Sequence, residues 1–244
     1  MKKLLILQLR PEDETANSEF NAFLEIGGLV SDNVERIRLE KNIPEIDLDS
    51  YSGIIVGGSP FDISTPDNQK NAVQKNIETF FNTLFDDIVE RDFPFLGVCS
   101  GNGLLGNYCG GSISRTYAEP IGGVEVMVTE EGKKDPLLKN LPETFSALVG
   151  HKEACDNVPP NTVLLVTSST CPVQMFRVKQ HIYATQFHPE ANADEFILRI
   201  NIYKNHNYFE PEEAEGLIAK VKKTNTPIPK EILKRFVDRY HYPK

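Results

Sequence analysis

The sequence lacks three things: a long apolar run, a cluster of positive charge, and a pair of cysteines at metal-ligand spacing. A membrane-crossing helix needs about 20 consecutive apolar residues, and no stretch of the chain approaches that. The amino terminus places Lys2 and Lys3 before Leu4 to Leu7, but Gln8 and Arg10 stop the run well short of a secretory signal. A cytoplasmic location is therefore the expectation, with no membrane partner. Lys and Arg number 26 against 35 Asp and Glu, for a net charge of -9. Without a basic face to meet phosphates, nucleic acid is not an expected partner. The four cysteines, Cys99, Cys109, Cys155 and Cys171, form neither a zinc knuckle nor a disulfide framework. No glycine loop ends in Lys-Ser or Lys-Thr to grip a nucleotide. No metal and no cofactor are expected.

What is present suits one compact domain. The chain has 244 residues, 40% of them hydrophobic and 25% charged, which supplies a sizeable core. Lys3 to Leu9 and Gly53 to Val56 read as buried strands, and Val34 to Leu39 as a strand with one wet face. Glu12 to Leu29 has helical spacing and ends near Gly27-Gly28. Asn68 to Glu90 is a long amphipathic helix whose apolar face carries Val73, Ile77, Phe80, Phe81, Leu84 and Ile88. Phe95 to Val98 is a strand that enters Cys99, and Gly101 to Tyr108 a helix that leaves it. Strands alternating with helices predict βαβ units and a mostly parallel central sheet flanked by helices. Val124 to Thr129, Val163 to Thr167, Val173 to Val178 and Ile182 to Thr185 then read as strands, the last three closely spaced, which predicts added antiparallel structure. Ala193 to Tyr203, Pro211 to Lys222 and Lys230 to Tyr240 read as helices, the last two joined by Thr224 to Pro229. The expected organisation is an α/β domain over residues 1–204, with 205–244 a C-terminal helical extension of it.

The segment Gly97-Val98-Cys99-Ser100-Gly101 runs a short apolar strand into a cysteine with a glycine two residues away on either side. That is the layout of a nucleophile elbow, where residues without Cβ let strand and helix pack closely around a strained turn. A cysteine there lies at a helix N-terminus, whose dipole and free N–H groups favour thiolate and can hold an oxyanion. The plainer reading is a buried cysteine in a glycine-rich turn. Of the five histidines, His151, His181, His188, His206 and His241, only His188 has a suggestive frame, Gln186-Phe187-His188-Pro189-Glu190. Residues i and i+2 of an extended segment point the same way, and Pro189 biases His188 towards extended geometry. Glu190 could then orient one ring nitrogen and leave the other for Cys99. The alternative is a surface histidine beside a helix-capping acid.

With both segments in view, and with Ile55-Val56-Gly57-Gly58-Ser59-Pro60 ahead of them, the chain resembles the class I glutamine amidotransferases, in the branch that includes the glutaminase domain of GMP synthase. The three blocks stand in the family's order, and Glu119-Pro120-Ile121-Gly122 and Gly150-His151-Lys152-Glu153 give weaker support. The resemblance covers Lys3 to Tyr203 and implies a flavodoxin-like fold. It also implies a triad of Cys99, His188 and Glu190, with the oxyanion held by the N–H groups of Gly58 and Ser100. The substrate contacts expected beside them are Gly57, Gly103 and Phe187. The implied reaction releases ammonia from the glutamine side chain through a cysteinyl thioester. Asp62 is a further candidate, for a substrate amino group, or else a solvated loop acid. His151 fits no triad role and reads as a structural hydrogen-bonding residue.

One position departs from the pattern. Gly103 stands where the family usually has a glutamine that shapes the substrate pocket. Either another residue fills that space or the substrate is a different γ-glutamyl amide. Three functions follow as expectations. The chain is a glutaminase that supplies a separate synthetase partner, a stand-alone hydrolase or transferase of a γ-glutamyl amide, or a non-catalytic binding protein that keeps the fold. A homodimer is a further possibility, with residues 205–244 available as its surface.

Overall fold

A computed structural model describes residues 2–204 and 209–243. The boundary expected at 205 and His206 fall outside those residues. The parallel half of the chain consists of β1 (Lys3–Gln8), α1 (Asp13–Gly27), β2 (Val34–Arg38), β3 (Tyr51–Val56), α2 (Ala72–Arg91), β4 (Phe95–Val98) and α3 (Ser100–Tyr108). There follow β5 (Ile113–Ser114), β6 (Glu119–Val128), β7 (Thr144–His151), β8 (Ala154–Cys155), β9 (Thr162–Ser168), β10 (Met175–Val178) and β11 (Ile182–Thr185). Helices α4 (Ala193–Tyr203), α5 (Ala214–Lys223) and α6 (Pro227–Tyr240) complete the chain.

Nine strands form one sheet in the order β2-β1-β3-β4-β11-β10-β9-β6-β7. The first five run parallel and the remainder pair antiparallel, as the texture of the sequence predicts. β5 and β8 make a separate two-stranded ladder. Alternation along β1 divides the core. Leu4 and Ile6 face α1 and α6, with Phe23 and Phe236, whereas Leu5 and Leu7 face α2 and α3, with Phe81, Phe85 and Leu104. A third cluster seats α4 and α5 on β6 and β7 through Ile121, Leu148, Phe196, Ile200 and Leu217.

Three sequence readings change. β7 is a strand that sequence pattern did not single out, although Phe145, Ala147 and Val149 are buried between exposed Thr144 and Ser146. Helix α2 starts at Ala72 rather than Asn68, because Asn71 caps it: its side-chain oxygen accepts from the Gln74 N–H at 2.8 Å. Pro227 and Pro229 lie inside α6 rather than in a linker. The first helical turn has no intrahelical use for its N–H groups, so proline costs nothing there. Ile232, Leu233, Phe236 and Val237 of that helix share the core of Leu4 and Ile6, so α6 is part of the main packing unit. Among the described residues no helix is long and apolar enough to cross a membrane.

Candidate active site

The parallel strands deliver their loops to one crevice at their carboxyl ends, where open α/β sheets bind ligands. Cys99 follows β4 directly and caps α3 with φ 54° and ψ -97°. Such geometry costs a non-glycine residue about 1–3 kcal/mol and is characteristic of functional turns. It depends on Gly97, because a Cβ there would lie 2.6 Å from the Gly101 carbonyl oxygen. The Cys99 N–H is tied to the Thr185 carbonyl at 2.8 Å, so the elbow is fixed to β11. Cys99 is only 9% exposed. Burial pushes its thiol up to about 11, against the pull of Arg10 and Arg199. The thiolate expected from the helix N-terminus is therefore not the resting form: desolvation outweighs the dipole and both guanidinium groups.

His188 and Glu190 are both buried, and His188 Nδ1 lies 2.8 Å from Glu190 Oε1. The His188 N–H is anchored to the Leu148 carbonyl at 3.0 Å. Burial pushes the imidazole below the ordinary histidine value; Glu190 opposes that shift and Arg199 adds to it. Burial would raise the Glu190 carboxyl, but His188 and Arg199 overcome it and hold the group at about 2. The site at rest is thus a neutral thiol and a neutral imidazole backed by a carboxylate.

Three residues of this site escaped the sequence reading. Arg199 places Nη2 3.1 Å from Glu190 Oε1 and Nη1 3.2 Å from His188 Nδ1. Glu19 of α1 accepts from Arg10 Nε at 2.7 Å and from Gln8 Nε2 at 3.0 Å, and lies 3.9 Å from Arg199. Arg10, just past β1, also donates to the Tyr203 hydroxyl at 3.3 Å. All three are buried. A signal for them exists in the sequence: Arg199 falls in phase with Phe196, Ile200 and Tyr203, and Glu19 with Ala16 and Phe23, so each helix carries a charge on its buried face.

The Gly-Gly loop reaches the site but uses its groups differently from expectation. The Gly58 N–H donates to Glu19 Oε2 at 3.1 Å, so it is committed within the protein and not offered to an oxyanion. The Gly57 N–H donates to the Leu7 carbonyl at 3.1 Å, and a Cβ on Gly57 would run into the Glu19 carboxylate. Gly57 therefore packs on Glu19 and makes no substrate contact. Ser59 is the loop residue that lines the space around Cys99. The Ser100 hydroxyl donates to the Ser59 carbonyl at 3.2 Å, which fixes the loop against the elbow. The Ser100 N–H is the first of α3, where no intrahelical acceptor exists.

Phe187 is a further correction. It is fully buried in the main core and meets Phe145 edge-on at 6.0 Å, so it faces away from the pocket. Gly103 does line a cavity beside Cys99, together with Asp62, His151, Glu153 and Gln186. Ile63 Cγ1 lies 3.5 Å and Glu153 Oε1 3.7 Å from where a Cβ on Gly103 would sit. Glu153 is held there by the N–H groups of Ile63 and Ser64, at 2.6 and 2.8 Å. His151 hydrogen-bonds Glu119 Oε2 at 2.9 Å through Nε2 and the Glu153 carbonyl at 2.9 Å through Nδ1. Glu119, His151 and Cys171 bring possible metal-binding atoms within 4.8 Å of one another. Both Glu119 oxygens, however, already have protein partners in His151, Gln174 and Thr170. The largest groove lies elsewhere, between residues 39–46 and α2, and its lining contains no cysteine or histidine.

Comparison with known proteins agrees with this geometry. The model of the family described as glutamine amidotransferase class-I matches residues 21–223. One chain of a two-part, glutamine-hydrolysing GMP synthase from Methanococcus vannielii is 31% identical over 168 residues, which are 68% of this chain and 75% of that protein. A glutamine-hydrolysing GMP synthase from Borrelia garinii is 28% identical over 187 residues, 74% of this chain; the chain spans 33% of that relative's length. A glutamine amidotransferase structure from Thermotoga maritima superposes with a TM-score of 0.76 at 19% identity, covering 98% of this chain and 99% of that one. At that identity the likeness concerns the fold. With the family model matching most of its length, the chain belongs to the class-I glutamine amidotransferase family.

Proposed function

We propose that the chain hydrolyses the side-chain amide of glutamine, with Cys99 as nucleophile, His188 as general base and acid, and Glu190 as its orienter. One observation carries this reading. A buried cysteine on a strained elbow shares a cavity with a histidine whose Nδ1 is held by a carboxylate, which leaves Nε2 for the thiol. Because thiol and imidazole are both neutral at rest, the Cys99 proton passes to His188 Nε2 as sulfur attacks the carboxamide carbon. The N–H groups of Ser100 and Ser59 receive the oxyanion; one such donor is worth about 10²–10³ in rate. His188 then protonates the departing nitrogen to give ammonia, and water releases glutamate from the thioester.

The relatives are named as glutamine-hydrolysing, and the one from Methanococcus vannielii is named as a single subunit of its enzyme, which supports delivery of ammonia to a separate synthetase chain. Gly103 favours a second reading, a γ-glutamyl amide other than glutamine, because Ile63 and Glu153 occupy the neighbourhood that a longer residue 103 would shape. A cytoplasmic site of action is part of the proposal, supported by four unpaired cysteines. The test is intact mass after exposure to an electrophilic glutamine analogue, for wild type and Cys99→Ser. A single adduct, blocked by glutamine and absent from the variant, is expected. Labelling that persists in Cys99→Ser would remove Cys99 from the mechanism.

A further inference from the structure

Cys99 stands between two small cavities whose linings share only Cys99 and Ser59. The first is lined by Asp62, Gly103, His151, Lys152, Glu153 and Gln186, a polar wall carrying both signs of charge. The second is lined by His188, Arg10, Arg199 and Tyr203, closed by Ile121 and Phe196. His188 belongs to the second and not to the first. Resting on the mechanism proposed above, we infer that the two cavities divide the reaction: the γ-glutamyl chain lies in the first, and the second is an acceptor site that admits water and excludes larger amines.

Two physical constraints support this division. The group that leaves the acyl carbon and the one that next attacks it both exchange a proton with His188 Nε2, so both must stand on the His188 side of Cys99. Space on that side is that of one water-sized molecule, about 20 Å³. Its walls are rigid: Phe196 meets the His188 ring edge-on at 5.2 Å, and the Arg199 guanidinium lies 5.1 Å from the Phe196 ring centre. Charge acts in the same direction as size. Arg10 and Arg199 disfavour an ammonium, so a protonated amine is rejected while neutral water and ammonia pass. In the step itself, water oxygen bonds the acyl carbon as His188 Nε2 takes its proton. The C–S bond then breaks, and Cys99 sulfur recovers that proton from His188. The products are glutamate and the free thiol, and the enzyme is a hydrolase rather than a γ-glutamyl transferase.

The test follows acceptor competition in the full chain. Glutamine is supplied with hydroxylamine or with propylamine at alkaline pH, and ammonia, glutamate and γ-glutamyl products are quantified together. Wild type is expected to give glutamate, some hydroxamate, and about a hundredfold less propylamide than hydroxamate, a discrimination within reach of a tight apolar wall. Ile121→Ala and Phe196→Leu, made separately, are each expected to raise the propylamide share at least about tenfold. Efficient propylamide formation by wild type overturns the acceptor site while leaving the amide-cleaving mechanism standing. So does an unchanged product ratio in both variants when ammonia is still released. Failure of wild type to release ammonia from glutamine or any γ-glutamyl amide overturns the underlying mechanism and the acceptor site with it.

Discussion

Two buried histidine–carboxylate pairs flank Cys99, and their bond lengths are nearly the same: 2.8 Å for His188 and Glu190, 2.9 Å for His151 and Glu119. What separates them is the second ring nitrogen. In His151 it is spent on the Glu153 carbonyl, so the ring braces β7 against β6 and has nothing left for a substrate. In His188 it faces the cavity that contains Cys99. A catalytic histidine is thus recognised less by its carboxylate than by what its other nitrogen is free to do. The environments differ as well. Arg199 stands at the His188 pair, whereas Gln174 and Thr170, both uncharged, complete the shell of Glu119.

The comparison is broken most directly by removing each ring. His188→Ala is expected to lower kcat for glutamine hydrolysis by on the order of 10³–10⁴-fold, with folding intact by circular dichroism. Equal loss in His151→Gln would abolish the distinction. Glu190→Gln should follow at about a hundredfold or more, since an amide presents the wrong partner to Nδ1–H and no longer stabilises the imidazolium.

Arg199→Met sharpens the contrast through pH. Around His188 stand Glu190 and Arg199 at Nδ1, Arg10 and Cys99 across the cavity, and Glu19 behind the two arginines. Burial and then Arg199 disfavour the imidazolium, against the pull of Glu190, so the acid limb of kcat/KM should lie below the ordinary histidine value of 6.5. Activity rises with pH across that limb as His188 loses its proton. Removing the Arg199 charge makes the imidazolium easier to form, so the limb should move to higher pH. A kcat loss of about 10–100-fold should accompany it, the worth of a hydrogen bond to a charged group. A profile that stays in place would reduce Arg199 to a packing role.

His151→Gln is expected to cost about 1–3 kcal/mol in chemical denaturation, because it disturbs a buried network around Glu119, while kcat changes by less than about tenfold. The smallest effect is the control. Lys234→Ala breaks an exposed ion pair with Asp238, 3.0 Å long, and should change stability by less than about 0.5 kcal/mol.

The sequence by itself determined the architecture and the reacting groups. Alternation and helical periodicity set the order of β1 to α3 and the antiparallel texture that follows, because those patterns are local consequences of which face is buried. Gly97, Cys99 and Gly101 announced the elbow, since only glycine tolerates the Gly101 carbonyl where a Cβ would lie. His188, Pro189 and Glu190 are neighbours in the chain, so their pairing was legible at short range. Tertiary structure alone decided the rest. Arg10, Glu19 and Arg199 come from the end of β1, from α1 and from α4, and no local pattern says that their charges meet beneath the triad. Nor could sequence tell that the Gly58 N–H turns towards Glu19, or that Phe187 points into the core beside two residues of the site. The direction of a peptide group and the charge state of a buried thiol depend on everything packed around them. Here burial and the distant arginines, acting across the sheet, set the Cys99 and His188 protonation states that the chemistry starts from.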